Sequence, residues 1–242
     1  MKTDILSEDD CRRAVDRCWE LLPPHFNRDE PDTWQGMVKD CCVTKSLHSR
    51  NGRVKFRECL RSESWVYDIV AQNPLIGKTV AVLLGTVAPP NHIRGLYPVF
   101  PVGIPSERPP GPHTDMQIFQ VGTVGYLEEV APHGGGFTVW PGSHLRLHEQ
   151  FAFNGCTHPP VPELMAEVER LRSEIQPWEI PGRRGTVIFW HHRLMHTYGF
   201  NRTKRVRQAI LGDFAQTTPW APPDFSPSSD PWDGWSERIR SS

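Results

Sequence analysis

The chain has no long apolar run, no excess of either charge and no zinc-type cysteine spacing, and each gap removes a class of function. None of its 242 residues fall in a stretch approaching a membrane-spanning helix, which needs about 20 consecutive apolar residues. The first residues, Met1 to Ile5, lack the apolar core of a secretory signal, so a cytoplasmic protein is expected. Its 27 basic and 28 acidic side chains nearly cancel, leaving a net charge of -1. That balance offers no electrostatic reason for nucleic acid or an anionic membrane as partner. The 6 cysteines (Cys11, Cys18, Cys41, Cys42, Cys59, Cys156) show no Cys-x-x-Cys spacing and read as free thiols in a reducing compartment. Asn201-Arg-Thr203 fits a glycosylation sequon, but without a secretion signal no sugar is expected there.

What is present is proline, at 24 residues, about twice the usual share. That favours short strands joined by rigid loops over a helical bundle. With 38% hydrophobic and 23% charged residues, the composition is that of a soluble globular protein. The first third reads as helical. Ser7 caps a helix whose first turn carries Glu8, Asp9 and Asp10, and Pro23-Pro24 stops it. Along it, Cys11, Ala14, Val15, Cys18, Trp19 and Leu22 recur at helical spacing. Met37 to Thr44 and Val54 to Phe56 fit short strands. A second helical region starts near Ser64, breaks at Asn73-Pro74, and resumes over Leu75 to Leu84 before Gly85.

Beyond Gly85 short apolar runs alternate with Pro/Gly turns. They are Thr86 to Ala88, Tyr97 to Val102, Met116 to Val121, Thr123 to Val130, Phe137 to Trp140, Thr186 to Trp190 and Val206 to Phe214. This spacing predicts an antiparallel sandwich or barrel, interrupted by one helix over Val161 to Ile175. With no internal repeat, one domain is expected: a helical flank over 1–84, a β core over 85–214 and a Trp/Pro-rich arm over 215–242.

Inside the β region stands His113-x-Asp115. On a strand both side chains share a face, because side chains alternate with period two. An imidazole beside a carboxylate makes two thirds of a facial iron site. For the third ligand the run Gly185 to Thr203 offers His191, His192 and His196. Adjacent His191 and His192 point to opposite faces of a strand, so at most one could face a metal. Eleven residues after His196 stands Arg207, whose planar fork suits a carboxylate.

In this order the motifs resemble the phytanoyl-CoA dioxygenase-like family of Fe(II)/2-oxoglutarate oxygenases. The resemblance rests on four features between about residues 85 and 214. These are His113-x-Asp115; the segment from Leu127-Glu-Glu-Val130 through Gly134-Gly-Gly136 to Pro141-Gly-Ser-His144; Gly185 to Trp190 leading into Leu194-Met-His196; and Gly199-x-Asn201 followed by Arg207. It implies a double-stranded β-helix core, mainly β with flanking helices, like a jelly roll or cupin. The iron ligands map onto His113, Asp115 and His196, and Arg207 maps onto the arginine for the distal carboxylate of 2-oxoglutarate. Tyr198 stands where the family commonly has a serine or threonine that bonds the same carboxylate. Tyr126 falls where family members place a side chain against the cosubstrate. His191 aligns with a histidine that is not a ligand.

The implied cofactors are Fe(II), 2-oxoglutarate and O2, and the implied reaction releases succinate and CO2 while oxidising a substrate C–H bond. A carboxylate at Asp115 favours hydroxylation, desaturation or ring closure over halogenation, for which related enzymes leave that ligand position to chloride. The expected substrate is a small metabolite. Arg94, Tyr97, Phe100 and His133 are its expected contacts, because loops and strand mouths around a rigid barrel carry specificity. Phe119, Phe137, Val139, Phe189 and Leu211 read as core. Among Lys45, Arg53, Lys55 and Arg57, one could meet a carboxylate. A cupin-like non-redox metal enzyme and a catalytically silent binding module remain the alternatives.

Overall fold

A computed structural model of the chain describes residues 1–34, 53, 63–86, 88–101, 111–115, 120–154, 162–216 and 229–241. Helix α1 spans Glu8–Glu20, with the Ser7 hydroxyl accepting from the Asp10 N–H at 3.1 Å and Cys11, Ala14, Val15 and Cys18 buried. Helices α2 (Ser64–Ala71) and α3 (Pro74–Leu84) meet at Asn73. Its carboxamide oxygen accepts from Leu75 and Ile76 and its nitrogen donates to Ile5, so one cap also ties down the N-terminal segment. No helix among the described residues is long and apolar enough to cross a membrane.

Seven strands follow among the described residues: β1 (Pro90–Leu96), β2 (Val121–Tyr126), β3 (Phe137–Val139), β4 (Trp178–Ile180), β5 (Val187–His191), β6 (His196–Tyr198) and β7 (Ala209–Phe214). They form two antiparallel sheets, ordered β1-β7-β2-β5 and β4-β3-β6. The larger sheet separates its faces by residue parity. Val121, Val187, Ile210 and Phe214 pack with the N-terminal helices, while Val124, Tyr126, Ile188, Trp190 and Ala209 pack against Phe137 and Val139 of the smaller sheet. Two facing sheets with helices on one outer face make the double-stranded β-helix that the motif order implies.

Helix α5 (Pro162–Glu174) lies where the periodicity puts it, burying Leu164, Val168 and Leu171. Helix α4 (Ser143–Asn154) replaces what the sequence reads only as a turn at Pro141-Gly-Ser143. Tyr97 to Val102 is no strand among its described residues: only Val99 forms an isolated bridge, to Arg53 on one side and Arg207 on the other. The expected strands at 37–44 and 54–56, and residues 116–119, lie outside the described residues. Asn201 is fully buried, donating to Val99 and Arg205 and accepting from Thr203, so its sequon is a structural knot beside Arg207.

Residues 229–241 dock on the edge of the larger sheet. Trp235 stacks on His191 at 5.2 Å and 10°, the Pro231 carbonyl faces His191 Nε2 at 2.7 Å, and Ser236 N–H donates to Leu83. At the other end of β5, Lys2 bridges Val187. Both terminal segments therefore cover the edge strand β5, whose backbone would otherwise invite pairing with another chain.

Candidate metal centre

His113 and Asp115 lie in an irregular segment and not on a strand as expected, but an isolated antiparallel bridge pairs the backbone of His113 with that of His196. Each donates its N–H to the other's carbonyl, at 3.0 and 2.9 Å, and their rings lie 4.6 Å apart. Two anchors hold β6, which carries His196. The Trp140 N–H donates to the Met195 carbonyl, and the Ser143 hydroxyl accepts from the Met195 N–H at 2.8 Å. The Pro141-Gly-Ser-His144 motif thus positions the residue next to His196. Trp190 and Phe137 pack on the His196 ring, at 5.5 and 5.2 Å. The Trp190 indole crosses Gly122, where a Cβ would sit 2.2 Å from the ring, so no larger residue fits.

Asp115 completes the group. Its carboxylate lies 3.4 Å from His196 Nε2 and 3.9 Å from His113 Nε2, and the three possible ligand atoms fall within 4.8 Å of one another. His196 Nδ1 donates to the Leu194 carbonyl at 2.8 Å, which leaves the Nε2 lone pair facing Asp115. Burial lowers the His196 pKa against the opposing pull of Asp115, so the ring is neutral, the form that ligates metal. Burial would raise the Asp115 carboxyl, but the Arg94 guanidinium overrides it and holds the group well below the usual carboxylate range. Donor set, tautomer and charge all fit a divalent cation held by two imidazoles and one carboxylate.

Arg207 is 5% exposed; its Nε donates to the Gly135 carbonyl at 2.9 Å and its Nη1 to the Tyr97 carbonyl at 3.1 Å. Gly135 adopts φ +80°, which turns that carbonyl towards the guanidinium. Among the described residues no carboxylate is ion-paired with Arg207, and burial pushes its pKa down to about 10, so it stays charged at neutral pH. His113, Asp115, His196, Arg207, Tyr198, Tyr97, Arg94 and Arg53 all line one cavity of about 100 Å³. Arg53 lies over the Tyr198 ring at 4.3 Å.

Other expectations need correction. Phe100 is fully buried among Trp19, Phe26 and Trp34, so it is core and not a substrate contact. His133 is exposed on a turn at φ +61° and lines a different cavity, with Trp178 and Phe200. Tyr126 does not line the cavity: its hydroxyl donates to Ile180 at 2.6 Å and accepts from Phe137, stitching β2 to the smaller sheet, while its ring lies 6.0 Å under the Arg207 guanidinium. Arg94 lines the cavity, yet its guanidinium is engaged by Asp115 and Asp213. Phe137 and Leu211, read as core, also wall the cavity. His191 and His192 do not face opposite ways, because β5 ends at His191; their rings stack at 4.5 Å, and neither lines the cavity of the triad.

Among solved structures the chain is similar to AviO1 from Streptomyces viridochromogenes Tue57, with a TM-score of 0.56, 17% identity and coverage of 91% of this chain and 90% of that one. It is similar to the non-heme alpha ketoglutarate dependent epimerase SnoN from nogalamycin biosynthesis (TM-score 0.55, 17% identity, 88% and 76%). A third is EctD from S. alaskensis with bound Fe (TM-score 0.52, 20% identity, 88% and 70%). At these identities the likeness is one of fold. No curated protein sequence matches significantly. The phytanoyl-CoA dioxygenase family model, in contrast, matches residues 74–209, which takes in α3, every strand of both sheets up to the start of β7, and all four residues His113, Asp115, His196 and Arg207. By that match over more than half its length, the chain belongs to the phytanoyl-CoA dioxygenase family.

Proposed function

We propose that the protein is an Fe(II)/2-oxoglutarate-dependent oxygenase that oxidises a C–H bond of a small metabolite, releasing succinate and CO2. The observation that carries this reading is the convergence of two imidazoles and a carboxylate on one cavity that also holds a buried arginine with no paired acid among the described residues. A metal site alone would serve hydrolysis or isomerisation equally well. A buried guanidinium with donors to spare asks for an anion, and a keto-diacid has a second carboxylate to give it.

In this reading His113, Asp115 and His196 hold the ion, and Arg207 takes the distal carboxylate of 2-oxoglutarate, with Tyr198 and Arg53 beside it. The bound ion with its cosubstrate supplies the oxidising power needed to take a hydrogen atom from an unactivated C–H bond. The chain's own work is positioning and exclusion. His196 keeps its proton on Nδ1 through the Leu194 carbonyl, so Nε2 is always presented. Phe137, Val124 and Leu211 supply an apolar side to a cavity that is otherwise polar, and on that side water is held off the reacting atoms. The whole chain is read as one catalytic domain, in which the described helices α1 to α3 and residues 229–241 brace the core. Similar folds described as an epimerase, a carbocyclase and a protein crystallised with 2-oxoglutarate and 5-hydroxyectoine support a small organic substrate.

The test is succinate release and O2 consumption with Fe(II), 2-oxoglutarate and a panel of metabolites. Asp115→Ala abolishes both; undiminished turnover in that variant rules out the ligand role. Absence of any 2-oxoglutarate turnover across the panel, together with no visible charge-transfer band from anaerobic Fe(II) and 2-oxoglutarate, overturns the assignment.

A further inference from the structure

Arg94 stands at an irregularity of β1. Opposite β7, Ile93 pairs with Gly212 and Gly95 with Leu211, so Arg94 is the extra residue of a bulge. Bulges beside functional sites re-aim a side chain, and here the side chain turns into the barrel with 8% of its surface exposed. Its Nη1 and Nη2 donate to the two oxygens of Asp115 at 3.1 and 2.9 Å. Its Nε donates to Asp213, 3.0 and 2.8 Å from that carboxylate's two oxygens, and Asp213 is itself 1% exposed. A guanidinium pinned at one edge by a buried acid is a fixed fork, and the fork fixes the acid at its other edge.

We infer that Arg94, backed by Asp213, is a positioning residue that locks the Asp115 carboxylate in the orientation from which it ligates the metal. The inference rests on the metal reading above. A carboxylate has about four lone-pair sites. The fork occupies the side of Asp115 that faces Arg94, and the side left over faces the two Nε2 atoms, at 3.4 and 3.9 Å. Asp115 can then neither rotate away from the histidines nor turn both oxygens fully to one ion, which keeps ligand positions open for cosubstrate and O2. A bare counterion would act differently. As a positive charge next to a cation site it would weaken metal binding, and its removal would tighten it.

Co(II) is the probe, since its visible absorption follows the number and arrangement of its ligand atoms. Three variants are compared with the unaltered protein by Co(II) titration, visible spectrum and thermal melting: Arg94→Lys, Arg94→Gln/Asp213→Asn and Asp115→Ala. The double variant keeps the local net charge and a hydrogen bond between positions 94 and 213, so it folds where Arg94→Gln alone strands two buried acids. Both Arg94 variants should bind Co(II) weaker by roughly 10- to 100-fold, the usual cost of losing a ligand's own partner, with an altered band. Lysine, which keeps the charge but not the fork, should not restore it. A purely structural role would lower the melting temperature and leave the band of the folded protein unchanged. Equal or tighter binding with an unaltered band in the double variant, while Asp115→Ala loses Co(II), overturns the clamp and leaves the metal site standing. If Asp115→Ala binds Co(II) as the unaltered protein does, the ligand assignment itself falls and the clamp falls with it.

Discussion

Arg207 carries a full charge into a space where, among the described residues, no acid is paired with it. Keeping an unpaired cation buried is costly, and the cost falls when an anion arrives. Charge-assisted hydrogen bonds of this kind contribute roughly 1.5–3 kcal/mol. Arg207→Gln should therefore raise the KM for 2-oxoglutarate by about thirtyfold, equivalent to about 2 kcal/mol, with a smaller effect on the KM of the substrate. Steady-state kinetics with each reactant varied in turn checks the split. Equal changes in both would mean that the residue shapes the cavity as a whole. Gly122 governs the other side of the site. A methyl group there strikes the Trp190 ring at 2.2 Å, so Gly122→Ala should cost about 1–3 kcal/mol by overpacking. It should also shift Trp190 against His196, read as a lower melting temperature together with altered tryptophan emission.

At the level of elements, the sequence was most legible where a period or a punctuation mark recurs. The cap at Ser7, the break at Asn73-Pro74 and the apolar stripe of α5 are local signals, and the elements begin and end within a few residues of them. The long strands β2, β5 and β7 were legible as apolar runs. Strand β1 was not, because Pro90, Asn91 and Gly95 all argue against a strand. It survives as the edge of its sheet, bulged at two points, where a proline removes no needed donor. Strands β4 and β6 have three residues each, too few to show a period. Helix α4 hid behind Pro141-Gly142, which reads as a turn and does form one, immediately before Ser143. In the site, the candidate ligands and Arg207 were legible as types at an order and spacing that could converge, and they line one cavity. The ion pair of Arg94 with Asp115 and its backing by Asp213 were not, because Arg94 and Asp213 are 119 positions apart and meet only through the β1–β7 register and its bulge. Phe100 misled for a related reason: a phenylalanine in a proline-bounded stretch says nothing about which side it turns to, and the helical flank claims it.

For the whole molecule, the terminal arm and the barrel are joined through His191. Its Nδ1 accepts from the Arg193 N–H, so Nε2 carries the proton that it gives to the Pro231 carbonyl, and burial pushes its pKa down to about 3. In the unfolded chain the same ring titrates near 6.5. Above that value neither state takes a proton and His191 contributes no pH dependence. Between roughly pH 6.5 and 3 the unfolded chain binds a proton that the folded one refuses. Stability must then fall as pH falls, by up to about 1.4 kcal/mol per pH unit from this one group. Thermal melts across this range should show that acid slope, and His191→Phe should make it shallower. An unchanged slope would show that the ring titrates freely in the folded protein.

A hydrogen-bonded backbone rung joins His113 to His196. Small zinc domains are shapeless until their ion arrives, because only the ion joins their ligands. Here the peptide backbone has already joined two of the three, so loading and unloading should proceed on a finished scaffold. Stripping with a chelator ought to leave the circular dichroism unchanged, and fresh Fe(II) ought to restore turnover within the mixing time, without a slow refolding phase.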